Sequence, residues 1–220
     1  MLWDVNNPRA YNNRMGRYKT QAEWEFIQRH LPDRPLRILD IGGSSGRFAL
    51  PLAELGHHVT VIDIAENALA ILREKGHPNI AVHCGDVLQF EPDFKFDAAL
   101  AIESAVYINL PWLLAKVNSL LAGGAPFLFT HLNRASWRYF AQGLLNRGAT
   151  RYPIYTPSEL RVMIEAANFR VEAVMGFVWM PFRFNSNSPL VSVFAAAERV
   201  LGLRRWIHQS PWLFYAARKR

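Results

Sequence analysis

The residues that could do chemistry gather in one stretch. LRILDIGGSSGRFALPLAELGHHVTVID, positions 36–63, runs from an apolar segment through a glycine turn and a helical segment to a second apolar run that ends on a carboxylate. Gly42, Gly43 and Gly46 let the backbone turn sharply and let a ligand approach the main chain. The helical segment behind them offers unpaired N–H groups and a positive dipole end, which suit an anionic group. Asp63 ends the next strand beside that turn, where a carboxylate can accept both hydroxyls of a ribose. The pattern reads as a site for a nucleoside with an anionic or zwitterionic appendage. It also permits a plainer role for Asp63, capping the helix that starts near Ala65.

Two cofactor classes share this plan. A dinucleotide fingerprint G-x-G-x-x-G aligned on Gly42 puts Ser44 and Arg47 where its second and third glycines belong. Arg47 is a poor residue where a helix must press on a strand. The pattern D-x-G-x-G-x-G fits Asp40, Gly42 and Gly46, with Ser44 at the middle glycine.

The elements that must position these residues alternate. Strands are expected at 36–41, 57–63, 80–84, 96–102, 125–131, 169–177 and 211–219. Helices are expected at 48–56, 65–75 and 111–124, and from the TPSEL start at 156–160, a threonine cap followed by proline in the first turn. Such alternation implies an α/β, doubly wound, seven-stranded Rossmann-like sheet, mostly parallel, with an antiparallel last strand. One domain is expected over 1–220. Segments 1–34, 132–155 and 178–210 read as irregular: an N-terminal lid or helical segment and two substrate-side insertions beyond the carboxyl ends of the strands.

Composition bounds the rest. Half of the 220 residues are hydrophobic, enough for one sizeable core. The lone Cys84 excludes an internal disulfide framework. No uncharged apolar run approaches a membrane span, and the first residues lack a secretory pattern. A soluble or peripheral cytoplasmic protein is expected. Net charge is +7, and the excess falls late: Arg183, Arg199, Arg204, Arg205, Arg218, Lys219 and Arg220 stand against Glu198 alone after Pro181, reading as a solvated basic tail. Within 189–210, Leu190, Phe194, Ala197 and Leu201 share a helical face ahead of Arg204 and Arg205. That face suits packing on the domain or peripheral contact with an anionic membrane.

Six motifs in order resemble a class I S-adenosylmethionine-dependent methyltransferase of the methyltransferase type 11 kind: ILDIGGSSGRFA, VTVIDIAENAL, HCGDVLQF, FDAALAIESAVYI, LLAGGAPFLF and YTPSELRVMIEAANFRV. The resemblance covers about residues 36–178 and implies S-adenosyl-L-methionine as cofactor. It implies that Asp40, Gly42, Gly43 and Ser44 hold the methionine part, Asp63 the ribose, and Ile64, Asp86 and Val87 the adenine. The main chain near Ile102 would meet the cofactor's amino group. Tyr18 and Arg14 would close over it from the N-terminal segment, or else belong to a surface helix.

Methyl transfer needs in-line alignment and, often, a base for the acceptor's proton. His131, Glu103 and Tyr107 follow the fourth and fifth strands on the expected rim, and His131 is the preferred base because an ordinary imidazole titrates near neutrality. His57 and His58 start the second strand, at the wrong end, and read as structural. His83 and Cys84 point to opposite faces, and no metal cluster is expected. With no nucleic-acid module and irregular segments rich in aromatic residues, the expected acceptor is a small molecule methylated at oxygen: aromatic, a sugar or lipid-linked. DNA is excluded, and RNA is the lesser alternative, as is a non-catalytic cofactor-binding relative.

Overall fold

A computed structural model describes residues 11–144 and 152–220. Seven strands form one sheet in the order β3-β2-β1-β4-β5-β7-β6. They are β1 (Arg37–Ile41), β2 (His58–Asp63), β3 (Ile80–Cys84), β4 (Ala98–Ala101), β5 (Pro126–Leu132), β6 (Phe169–Phe177) and β7 (Trp212–Lys219). All pairs are parallel except those of β7, which runs antiparallel to both β5 and β6. The antiparallel final strand expected from the long β6–β7 connection is present, inserted between β5 and β6.

Alternation in the strands sends side chains to two cores. Ile38, Leu100, Leu128 and Phe214 face one side, packed with α1 (Arg14–His30), α2 (Ala49–Glu54), α3 (Glu66–Glu74) and α7 (Leu190–Val200). Leu39, Ala99, Phe127 and Tyr215 face the other, against α4 (Leu110–Leu120) and α6 (Pro157–Ala166). A short α5 (Trp137–Leu144) follows β5. The capping box foreseen at TPSEL is formed by Thr156 and Glu159.

Two expectations need correction. The segments read as irregular contain α1, α5 and α7; their residues 1–10 and 145–151 lie outside the described residues. The 17-residue α1 was hidden because its buried face mixes Met15, Ala22, Phe26 and Ile27 with the charged Lys19 and Glu23, which breaks the apolar periodicity. Nor do the late basic residues form a solvated tail. Arg218 and Lys219 belong to β7, and Arg204 pairs with Glu25 at 3.2 Å and with Glu198 at 3.0 Å.

Glu198 is 1 % exposed and ties α7 to the rest. It accepts from the Tyr18 hydroxyl at 2.5 Å, the Trp179 N–H at 3.3 Å and Arg204 Nε at 3.0 Å. Removing the carboxylate would leave the Tyr18 hydroxyl and the Trp179 N–H without this acceptor and Arg204 with Glu25 alone. Glu198→Ala is expected to cost about 3–5 kcal/mol in urea unfolding, and Tyr18→Phe about 1 kcal/mol.

Candidate functional site

At the carboxyl edge of the sheet the ends of β1, β4 and β5 are pinned together. The Ser104 hydroxyl donates to the Ile41 carbonyl at 2.6 Å, and the Glu103 N–H donates to the Thr130 hydroxyl at 2.6 Å. The turn after β1 needs its glycines. Gly42 has φ +70 and its α-carbon lies against Ser104; a Cβ on Gly43 would stand 2.5 Å from Asp40 Oδ2. Ser44 at φ 51 and Glu103 at φ 61 hold the left-handed region without being glycine, so strain is stored at both lips of the site. Asp40 is 2 % exposed, and its Oδ2 has no hydrogen-bond partner. Burial pushes its carboxyl up to about 7; nearby Arg47 opposes the shift and Asp63 adds to it.

Asp63 bridges turn and helix. Its Oδ2 accepts from the Ser44 N–H and its Oδ1 from the Ala65 N–H, both at 2.9 Å. The helix-start role is therefore realised, and each oxygen keeps a second lone pair. Ile64, next in line, is an apolar side chain 78 % exposed. Asp86 accepts from the Leu88 N–H at 2.9 Å and starts the 3-10 turn that holds Val87, which is buried. Ile102, also buried, leads directly into the Glu103 turn.

Over this edge lies a network of charges that the motifs did not announce. Glu103 pairs with Lys19 at 2.6 Å and with Arg47 at 3.1 Å; Arg47 also pairs with Glu23 at 2.7 Å. Glu23 is fully buried and its Oε1 has no partner. The Arg47 guanidinium lies 4.1 Å over the Tyr11 ring, and Lys19 Nζ lies 4.5 Å over Phe184 and 4.9 Å over Trp212. Burial raises the Glu23 carboxyl. Burial acts the same way on Glu103, but the charges of Lys19 and Arg47 overcome it and hold that carboxyl well below the usual range.

The comparisons with known proteins agree with this geometry. A family model for a methyltransferase domain matches residues 38–124, from β1 to just before β5. A ubiquinone biosynthesis O-methyltransferase of Bradyrhizobium sp. (strain ORS 278) is 27 % identical over 183 residues, 76 % of this chain and 72 % of that protein. An S-adenosylmethionine-dependent methyltransferase from Mesorhizobium loti superposes with a TM-score of 0.68 at 22 % identity, covering 92 % of this chain and all of that one. The magnesium protoporphyrin IX methyltransferase from Synechocystis PCC 6803, with SAH bound, gives 0.67 at 14 % identity, covering 94 % and 86 %. The matched segment, residues 38–124, is a methyltransferase domain.

The residues present fit S-adenosylmethionine as the cofactor of this domain. A buried carboxylate oxygen without a partner stands under the glycine turn, where a cationic ammonium would satisfy it. The bare Ile64 side chain offers an apolar surface for a base.

The other residues singled out by sequence are held in contacts of their own. Glu103 is paired with two cations, which hold it ionised. His131 is 1 % exposed, its ring 5.4 Å from that of Tyr155 and its Nδ1 2.9 Å from the Leu132 carbonyl. Burial lowers it to about 4, so it is a neutral core group, out of reach of a proton on an acceptor. Tyr107 is 41 % exposed and stacks edge-on with Tyr152 at 4.8 Å; burial, Glu103 and Tyr152 push its hydroxyl up to about 12, which suits a wall rather than a base. The Tyr18 hydroxyl donates to Glu198 and accepts from the Val178 N–H at 3.0 Å. Arg14 is exposed on the outer side of α1. His57 is structural as expected, its ring nitrogen accepting from the Leu36 N–H at 3.2 Å.

Sequence reading missed Lys19, Glu23 and Arg47 as a group. The pairing of Lys19 with Glu23, four residues apart inside an otherwise apolar stripe, was the available signal. It also missed three buried donors without acceptors, Arg138 Nε, Trp179 Nε1 and Trp212 Nε1.

An ammonium beside Asp40 favours the ionised carboxylate, so cofactor binding should release a proton, and affinity should fall as the pH drops below about 7. Calorimetry with S-adenosylhomocysteine is expected to show up to about tenfold weaker binding per pH unit in that range. Asp40→Asn should weaken binding and flatten the dependence.

Proposed function

We propose that this methyltransferase acts on an oxygen atom of a small acceptor, an acidic hydroxyl such as that of a phenol. Asp40, Gly42, Gly43 and Ser44 hold the aminoacyl tail of the cofactor, with the main chain at Ile102 receiving its amino group. Asp63 holds the ribose; Ile64, Asp86 and Val87 hold the adenine. The observation that carries this reading is the unpartnered Asp40 Oδ2 beneath a turn whose glycines let Ser104 and Asp40 press against the main chain. Bound there, the cofactor supplies an electrophilic methyl group on a sulfonium.

The chain's contribution is alignment and exclusion of water. Orientation of this kind can lower a barrier by about 7–11 kcal/mol. None of the rim residues singled out by sequence is both accessible and basic, which favours an acceptor that gives up its proton readily. The name of the Bradyrhizobium relative supports both oxygen as the target and an acceptor of the quinone-precursor type.

A lipid-linked acceptor is supported by α7. Leu190, Val193, Phe194 and Val200 on it and Leu201 just after it are exposed, an apolar surface that a helix facing only water does not need. No helix among the described residues is long and apolar enough to cross a membrane, so this contact is peripheral.

Purified protein with methyl-labelled cofactor is expected to label phenols in a panel of phenols, sugars, amines and bulk RNA. The rate should rise with pH along the acceptor's own ionisation. Labelling confined to amines or RNA would overturn the assignment. Asp63→Ala is expected to weaken S-adenosylhomocysteine binding by roughly tenfold or more, the effect of losing hydrogen bonds to a charged group.

A further inference from the structure

A cleft of about 320 Å³ separates α1 from α7 on the outer side of α1. Helical geometry sets it apart from the site: Lys19 and Glu23 leave α1 on the side facing the glycine turn, whereas Arg14, Arg17, Gln21 and Glu25 form a separate row. Arg14 and Arg17 come from that row, Arg199 from α7 and Arg204 from the turn after it, so four guanidinium groups line one cleft. Glu25 is the one carboxylate in the lining, and it is already paired with Arg204. Arg17 donates to the Asn12 carbonyl at 2.8 Å, and Arg14 and Arg199 make no ion pair among the described residues.

Helix stability does not account for this charge. Cations favour helix C-termini, and Arg199 suits the end of α7, but Arg14 and Arg17 sit in the first turn of α1, which carries no acidic residue. Three unpaired like charges around one concavity repel each other. Planar guanidinium groups from two helices match the oxygen pattern of a phosphate.

We propose that the α1–α7 cleft is a second binding site, specific for a phosphate group. The phosphate belongs to an anionic phospholipid headgroup or to a free phosphorylated molecule. The cleft adjoins the exposed apolar side of α7, where Ser192 and Arg199 line the cleft while Val193, Phe194 and Val200 face solvent. The headgroup source rests on the peripheral contact proposed above; the site itself does not. Because α1 also carries Lys19 and Glu23 into the charge network over the cofactor turn, an occupied cleft would steady the helix that roofs the site.

The full chain and the variant Arg14→Gln/Arg199→Gln are compared with two probes. Calorimetry uses inorganic pyrophosphate, and flotation uses vesicles of phosphatidylcholine with or without phosphatidylglycerol. S-adenosylhomocysteine affinity, expected to be unchanged, reports that the variant is folded. The wild-type chain should bind one probe or both, and the variant should bind roughly tenfold or more weakly, as loss of two charge-assisted contacts implies. Retention on anionic vesicles that pyrophosphate displaces assigns the headgroup; pyrophosphate binding without retention assigns a free phosphate. Retention lost on Phe194→Ser/Val200→Ser but kept in the arginine variant overturns the phosphate site and leaves the apolar contact standing. Equal binding by both proteins, or none by the wild-type chain, also overturns it.

Discussion

The structure depends on one ionic contact, the junction of Glu103 with Lys19 and Arg47. These three residues come from the end of β4, from α1 and from the helix entry after the glycine turn, so the junction ties the N-terminal helix to both lips of the cofactor edge. Buried charges are tolerated only when paired, and removing one partner leaves the others stranded at a cost of several kcal/mol. Glu103 must also adopt φ 61 to reach its partners, while its N–H is anchored on Thr130. Strain, charge and sheet edge are thereby fixed together.

That junction determines the chemistry as well. Its cations hold Glu103 ionised and fully engaged, which removes the most obvious carboxylate from proton transfer. Two other buried carboxyls, Asp40 and Glu23, keep an oxygen without a partner nearby. The nearby cations Lys19 and Arg47 are taken up by Glu103 and Glu23, while acceptors stay in surplus under the turn, an arrangement complementary to a further cation.

Helix α1 serves two surfaces at once. One side brings Lys19 and Glu23 to the cofactor edge, and the other meets α7 through Tyr18, Glu198 and Arg204. Its mixed burial explains why the N-terminal residues looked unstructured in sequence although they roof the site.

Local order was legible in the sequence because it is local. The strand β3 at 80–84, the capping box at Thr156, the glycine turn and the carboxylates at strand ends each depend on a few neighbouring residues and on side-chain period. So did the order of motifs from Asp40 to Asp86. The fates of Glu103, His131 and Tyr18 were decided only by folding. Burial, ion pairing and hydrogen bonding arise between residues up to 180 positions apart, as Tyr18 and Glu198 are, and no window of sequence carries the desolvation or the partner that sets a side chain's charge.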